Sequence, residues 1–192
     1  REWLLPFDKV DTALLGNPTI NCRYLLEVPR LRLVSYPYEW SFPALKAAAL
    51  LHLEIHLAAL DHGVTLADAS AYNIQFRGAR PIFIDHLSFR RYRAGELWTG
   101  HRQFCEQFLN PLLLRAFFGI THNAWYRGTQ EGIKSQELSR LLKWRHHLSW
   151  NVFIHVLLQS FFQRSVENDS VKLRNQSLSV GLPLPSFRLL LK

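Results

Sequence analysis

Hydrophobic and polar positions along the chain separate three kinds of segment. Residues 1–34 mix short apolar runs with Pro6, Gly16, Pro18 and Pro29, a pattern of short strands and loops with no long helix. Leu31 to Tyr36 alternates apolar and polar side chains and is rich in β-formers, so it predicts a strand, ended by Pro37, which lacks a donor. Tyr36-Pro37-Tyr38-Glu39-Trp40 then reads as a tight connector. Ser41 is a helix-capping residue, Pro43 is tolerated in a first turn, and strong helix formers run to Leu60. This predicts a helix over Phe42 to Asp61, roughly 30 Å long and stopped by Gly63. Its near-continuous apolar character marks it as a central, buried helix.

Beyond an irregular stretch, Val64 to Tyr72, two β-like runs predict a hairpin: Asn73 to Phe76 and Pro81 to Ile84, joined through Arg77-Gly78-Ala79-Arg80. From Trp98 the period becomes helical. Candidate helices are Gln103 to Phe118, interrupted at Pro111, then Gln136 to Leu142 and Trp150 to Gln163. Gly181-Leu-Pro-Leu-Pro185 reads as an extended linker. The fold class expected is α+β and mainly helical. It comprises a short β/loop segment over 1–34, a central hairpin, and a helical unit over 35–192.

Composition changes this picture little. The 192 residues are 48% hydrophobic and 20% charged, which suits one folded domain and argues against intrinsic disorder. The net charge of +8 favours anionic partners. It is uneven, with 11 basic and 10 acidic residues before position 97 against 12 and 5 after. The late basic residues are interleaved with apolar ones, the pattern of a solvated helix face, so nucleic-acid binding ranks last. Cys22 and Cys105 cannot build a disulfide framework or a four-thiolate site, and no signal peptide is evident, so a cytoplasmic protein is expected. Charged or histidine residues interrupt both long apolar stretches, so no membrane span is expected. There is no methionine, and the expectation is an excised or processed piece of a larger protein.

Three polar residues surround the hairpin: Asp68 in the loop, Asn73 at the first strand and Asp85 past the second. A turn near Gly78 sets Asn73 opposite about Phe83, bringing Asp85 beside the Asn73 amide. Mg²⁺ is held by one or two protein oxygens plus substrate phosphate, which Asn73 and Asp85 could supply. Asp68 could then orient the nucleophile. Each residue also has an ordinary structural use, as a turn cap or strand end.

Asp68-Ala-Ser-Ala-Tyr-Asn73, the hairpin and Ile84-Asp85 together resemble the catalytic loop and metal segment of the protein-kinase-like fold, in the broad form that includes aminoglycoside phosphotransferases. The resemblance implies a kinase-like C-terminal lobe, Asp68 as catalytic base, and Asn73 and Asp85 as Mg²⁺ ligands. It implies further that Tyr36, Tyr38 and Glu39 form the hinge beside the adenine of ATP. The chain departs from that pattern in three places. Leu66-Ala67 stand where His-Arg is usual, and His86-Leu87 where Phe-Gly is usual. No glycine-rich loop or Val-Ala-Ile-Lys-like strand precedes Asp68, so residues 1–34 would be a truncated or vestigial N-lobe.

A wider resemblance covers most of residues 29 to 165. Ser35 to Ser41, Asp68 to Phe76, Phe83 to Asp85 with Ser88-Phe89, and Arg102 to Leu112 look like the N-terminal region of bacterial class I SAM-dependent methyltransferases or relatives of a nodulation protein. This implies a covalently attached methyltransferase domain downstream. The chain itself has no glycine-rich SAM loop, since Gly128 and Gly132 are isolated. The expected function is that of a kinase-like, pseudokinase module serving as accessory or substrate-positioning region. The alternative is an active ATP- and Mg²⁺-dependent phosphotransferase.

Two further pairs have bland readings. His52 and His56 flank Glu54 one turn apart and suit a zinc site, but a paired polar stripe on the long helix is the simpler reading. His101 and Cys105 suit an activated thiol, but Cys105 in an apolar run packs as a small apolar residue.

Overall fold

The computed structural model describes residues 2–15 and 23–142. Cys22, the expected helix from Trp150 to Gln163 and the Gly181 to Pro185 linker lie outside the described residues. Helices and small sheets are mixed, and the α+β expectation holds.

The centre is α1 (Phe42–Asp61). The Ser41 hydroxyl accepts from the Ala44 amide at 3.4 Å, and Pro43 occupies the first turn, where its missing N–H costs nothing. Leu45, Ala48, Ala49, Leu51, His52, Ile55, His56 and Leu60 are buried. By length and composition alone α1 could cross a membrane, the only such helix among the described residues. Here its buried face lies in the main core, with Trp40, Leu66, Ile74, Phe83, Trp98, Phe104 and Phe108.

Three two-stranded antiparallel pairs surround it. β1 (Asp8–Val10) pairs with β2 (Leu25–Glu27), and β3 (Val64–Leu66) with a later β6 (Phe89–Arg91). Between them β4 (Ile74–Arg77) and β5 (Arg80–Phe83) form the expected hairpin. Its two-residue turn contains Gly78 at φ +61°, a conformation cheap only for glycine. The register pairs Ile74 with Phe83, so Asn73 stands opposite Ile84, one residue from the expected position, and the Ile84 amide donates to the Asn73 carbonyl at 2.9 Å. The N-terminal segment packs on the hairpin: Phe83 N–H donates to the Trp3 carbonyl, and Leu5 N–H to the Phe83 carbonyl, both at 2.8 Å.

Two expectations are corrected. Leu31 to Tyr36 forms no strand. Its alternation is strand-like, but a ladder needs a neighbouring backbone, and the side chain of Gln75 takes that place, accepting from Ser35 N–H and donating to Ser35 C=O, both at 3.0 Å. The irregular reading of Val64 to Tyr72 is also revised, because Val64 to Leu66 is a strand whose partner begins 23 residues after it ends.

Pro111 does not break the helical run. α2 (His101–Phe104) passes through a π-turn (Cys105–Leu109) into α3 (Asn110–Phe118). In the π-turn each amide reaches back five residues, and Asn110 N–H donates to the Cys105 carbonyl. Pro111 has no N–H for the next carbonyl, that of Glu106. Ile133 N–H fills it at 2.8 Å. This close approach requires Gly132, at φ +89°, where an added Cβ would sit 2.2 Å from the Glu106 oxygen. The chain then forms α4 (Asn123–Thr129) and α5 (Ser135–Leu141), the latter within a residue of the expected helix at each end.

Candidate functional site

The loop between β3 and β4 carries Asp68 and Asn73, and its backbone is tied down almost residue by residue. Trp98 Nε1 donates to Leu66 C=O at 3.0 Å and Thr99 Oγ1 to Ala67 C=O at 2.6 Å. Ala67 N–H donates to Ser88 C=O at 2.7 Å. From the next helix, Gln103 Oε1 accepts Ala69 N–H at 2.9 Å and Gln107 Oε1 accepts Ala71 N–H at 2.7 Å. The two glutamines are one helical turn apart, and both reach from the helical run beneath the loop. A loop so held presents its side chains in one geometry, at little ordering cost on binding.

Asp68, Asn73 and Asp85 meet at the hairpin mouth. Asn73 Nδ2 donates to Asp68 Oδ1 at 3.0 Å and to Ser88 Oγ at 3.2 Å. The Ser88 hydroxyl lies 3.0 Å from Asp68 Oδ1 and 2.5 Å from Asp85 Oδ2. Asp85 Oδ1 accepts Leu87 N–H at 2.9 Å, capping the turn that follows. A hydroxyl has one proton, so Ser88 donates to one carboxylate at a time. The other carboxylate then faces an oxygen with no hydrogen between them, a gap that a hard cation could fill. All three predicted residues are half-buried, and Ser88, which joins them, is buried. Among the described residues no group of three or more His, Cys, Asp or Glu could hold a metal ion, so any cation here would rely on the amide and hydroxyl oxygens as well.

Tyr36, Tyr38 and Glu39 form a neighbouring but separate group around a single helical turn, Pro37–Glu39. The Tyr36 and Tyr38 rings stack, centroids 5.4 Å apart and planes 15° from parallel. The Arg127 guanidinium lies 5.5 Å from the Tyr38 ring. Tyr72, the residue before Asn73, connects the groups: its ring is 6.4 Å from Tyr36, and its hydroxyl donates to Gln130 C=O at 3.0 Å. Burial, reinforced by Tyr38 and Glu131, raises the Tyr72 phenol above its ordinary range. The backbone of the connector is occupied. Glu39 Oε2 accepts Tyr36 N–H at 2.8 Å, Tyr36 C=O accepts Glu39 N–H at 2.8 Å, and Pro37 C=O accepts Trp40 N–H at 3.3 Å. Asn123 Nδ2 donates to the carbonyls of Tyr38 and Trp40 at 2.9 and 3.0 Å. These residues therefore offer ring faces, while four carbonyls of the connector already have donors.

The histidines lie under the site. His52 is fully buried among Phe83, Trp98, Phe104 and Phe108, with ring centroids 5.7 to 5.9 Å away. Neither of its nitrogens has a hydrogen-bond partner. Burial, with a smaller contribution from His56, lowers its pKa to about 3. His56 Nε2 is 2.8 Å from Thr65 Oγ1, and burial, aided by Arg90, lowers its pKa to about 4. Both are neutral at pH 7. Glu54 is exposed and takes no part; the expected hydrogen-bonded polar stripe describes His56 but not His52, which packs as part of the aromatic core. Cys105 is buried 3.8 Å from His101 Nε2, and burial pushes its thiol pKa up, so it stays protonated.

Sequence reasoning missed Ser88, Gln103 and Gln107. Ser88 carried a usable signal, a hydroxyl three residues after a turn-forming aspartate. The glutamines stood out as polar residues four apart in an apolar helical run, but nothing local says which loop they reach.

No family model matches the chain, and no solved structure matches it. The chain is 51% identical over 167 residues to nodulation protein NoeA of Rhizobium meliloti (strain 1021), a match covering 87% of this chain and 35% of that protein. It thus spans about a third of the length of the curated relative it matches, and the stretch alike includes the greater part of the fold described above.

Proposed function

We propose that this chain is a kinase-like, non-catalytic module of a larger bacterial protein that holds a substrate for a downstream SAM-dependent methyltransferase domain in the cytoplasm. The observation that carries this reading is the occupied connector. With the carbonyls of Tyr36, Pro37, Tyr38 and Trp40 each already accepting, the connector's backbone is largely committed to its own fold and favours an adenine less than an open hinge would. Residues 1–67 hold no glycine-rich run of the phosphate-clamping kind. The preorganised Asp68, Asn73, Asp85 and Ser88 group remains suited to binding polar groups of a substrate. Likeness to a nodulation protein about two and a half times as long supports service within a longer polypeptide, and a part in nodulation. On this reading ATP and Mg²⁺ leave the melting temperature unchanged, while Asp68→Ala with Asp85→Ala in the complete protein impairs methylation or substrate capture. Unimpaired methylation in that variant overturns it.

A second reading has its own support, the single proton shared by Ser88 between two carboxylates. A Mg²⁺ ion at Asn73 and Asp85 with ATP, and Asp68 orienting the hydroxyl of a small molecule or protein, would make an active phosphotransferase. It requires a nucleotide-induced thermal shift that depends on Mg²⁺ and disappears in Asp85→Asn.

A further inference from the structure

The stretch from Val28 to Val34 is unusual for its lack of partners. Among the described residues none of its backbone groups takes part in a backbone hydrogen bond, and the chain bends at Arg32. Leu33 is 73% exposed and Val34 54%. A groove of about 400 Å³ separates this stretch from the tip of the β4–β5 hairpin, with Leu31, Leu33 and Phe76 supplying apolar lining and Arg30, Arg32 and Arg77 supplying charge. No acidic residue lines it.

The far wall is also open. Phe76 stands opposite Pro81, which has no N–H, so this is a non-hydrogen-bonded pair and the Phe76 amide and carbonyl point away from β5. One residue on, Arg77 stands directly opposite Arg80, a like-charge pair that costs stability unless something anionic lies nearby. None of these four guanidinium groups has a carboxylate partner among the described residues. Arg30-Leu31-Arg32-Leu33 alternates charge and apolar bulk with the two-residue period of a strand.

We propose that this groove is a docking edge for an extended acidic polypeptide segment, which pairs its backbone with the free groups of the groove walls and sets its carboxylates against Arg30, Arg32, Arg77 and Arg80. Unbonded backbone on both sides favours a peptide over a lipid headgroup, which would use the arginines and leave the amides alone. A segment alternating acidic and apolar residues matches both components. The inference is independent of the function proposed above, since it uses none of the residues at the hairpin mouth.

The test uses the 192-residue chain and a fluorescent peptide of about ten residues alternating Glu and Val. Binding is read by anisotropy, and amide hydrogen exchange is followed at Arg30 to Val34 and at Phe76. Expected results are saturable binding, slowed exchange at those amides, and a drop of at least about tenfold in affinity for Arg32→Glu with Arg77→Glu, both exposed positions. The same peptide N-methylated at alternate residues should bind at least about tenfold more weakly, because it keeps its charge and loses its donors. The proposal is overturned by no binding at millimolar peptide, by equal binding of the N-methylated form, by indifference to the charge reversals, or by phosphatidylserine vesicles binding in place of the peptide.

Discussion

The oxygen cluster at the hairpin mouth and the histidine pair beneath it are both polar groups held at the centre of the fold, yet they have opposite fates. Asp68, Asn73, Asp85 and Ser88 are linked through the Asn73 amide and the single proton of the Ser88 hydroxyl, and the first three reach half-open surface. They keep their hydrogen-bonding capacity. His52 sits in a cage of aromatic rings with both nitrogens unpartnered, and desolvation has taken its basicity. Polar chemistry survives folding where side chains satisfy one another close to water. In a sealed apolar cage a titratable group becomes packing material.

The sharpest way to break this contrast is to force a charge into the cage. His52→Glu places a carboxyl there with no donor and should cost more than about 4 kcal/mol, enough to remove the cooperative transition in a urea titration. A milder form uses acid. The folded pKa values of about 3 for His52 and about 4 for His56 lie below 6.5, so the unfolded chain binds protons that the folded chain refuses. Their contribution is fully present above pH 6.5 and is lost as pH falls towards the folded values. Each pH unit in that window removes up to about 1.4 kcal/mol per histidine, so moving from pH 7 to 5 should lower stability by up to about 4 kcal/mol. Urea midpoints at both pH values measure it, and His52→Phe should remove about half the dependence.

Smaller effects probe the oxygen cluster. Gln107→Leu strips the acceptor from the Ala71 amide and should cost about 2 kcal/mol, with faster amide exchange at Ala69 to Ala71. Unchanged exchange there would mean that the glutamine does not hold the loop. Ser88→Ala removes the hydroxyl between Asp68 and Asp85 and should cost about 1 kcal/mol in thermal unfolding. If the non-catalytic reading holds, Mg²⁺ does not restore that loss; restoration would favour the phosphotransferase reading.

Local signals in the sequence carried a good part of the fold. The Ser41 cap, Pro43 and Gly63 framed α1 to the residue, because a helix end depends on neighbours within one turn. The two-residue turn at Gly78 made the β4–β5 hairpin legible for the same reason. Asp68, Asn73 and Asp85 could be grouped because a hairpin folds its two ends together. Leu31 to Tyr36 had the alternation of a strand and lacked only the partner, which no local pattern supplies. The pairing of β3 with β6 was invisible on similar grounds, since each is only three residues long.

By itself, then, the sequence determined the central helix, the hairpin and the meeting of three polar residues at its mouth, all interactions closed over short spans of chain. Only the tertiary structure decided that Ser88 joins the two carboxylates, that Gln103 and Gln107 hold the loop, that Ile133 replaces the donor Pro111 lacks, and that His52 is neutral. Each of these depends on which surfaces meet across tens of residues, and therefore on burial and on the direction of individual hydrogen bonds, which the order of residues along the chain does not display.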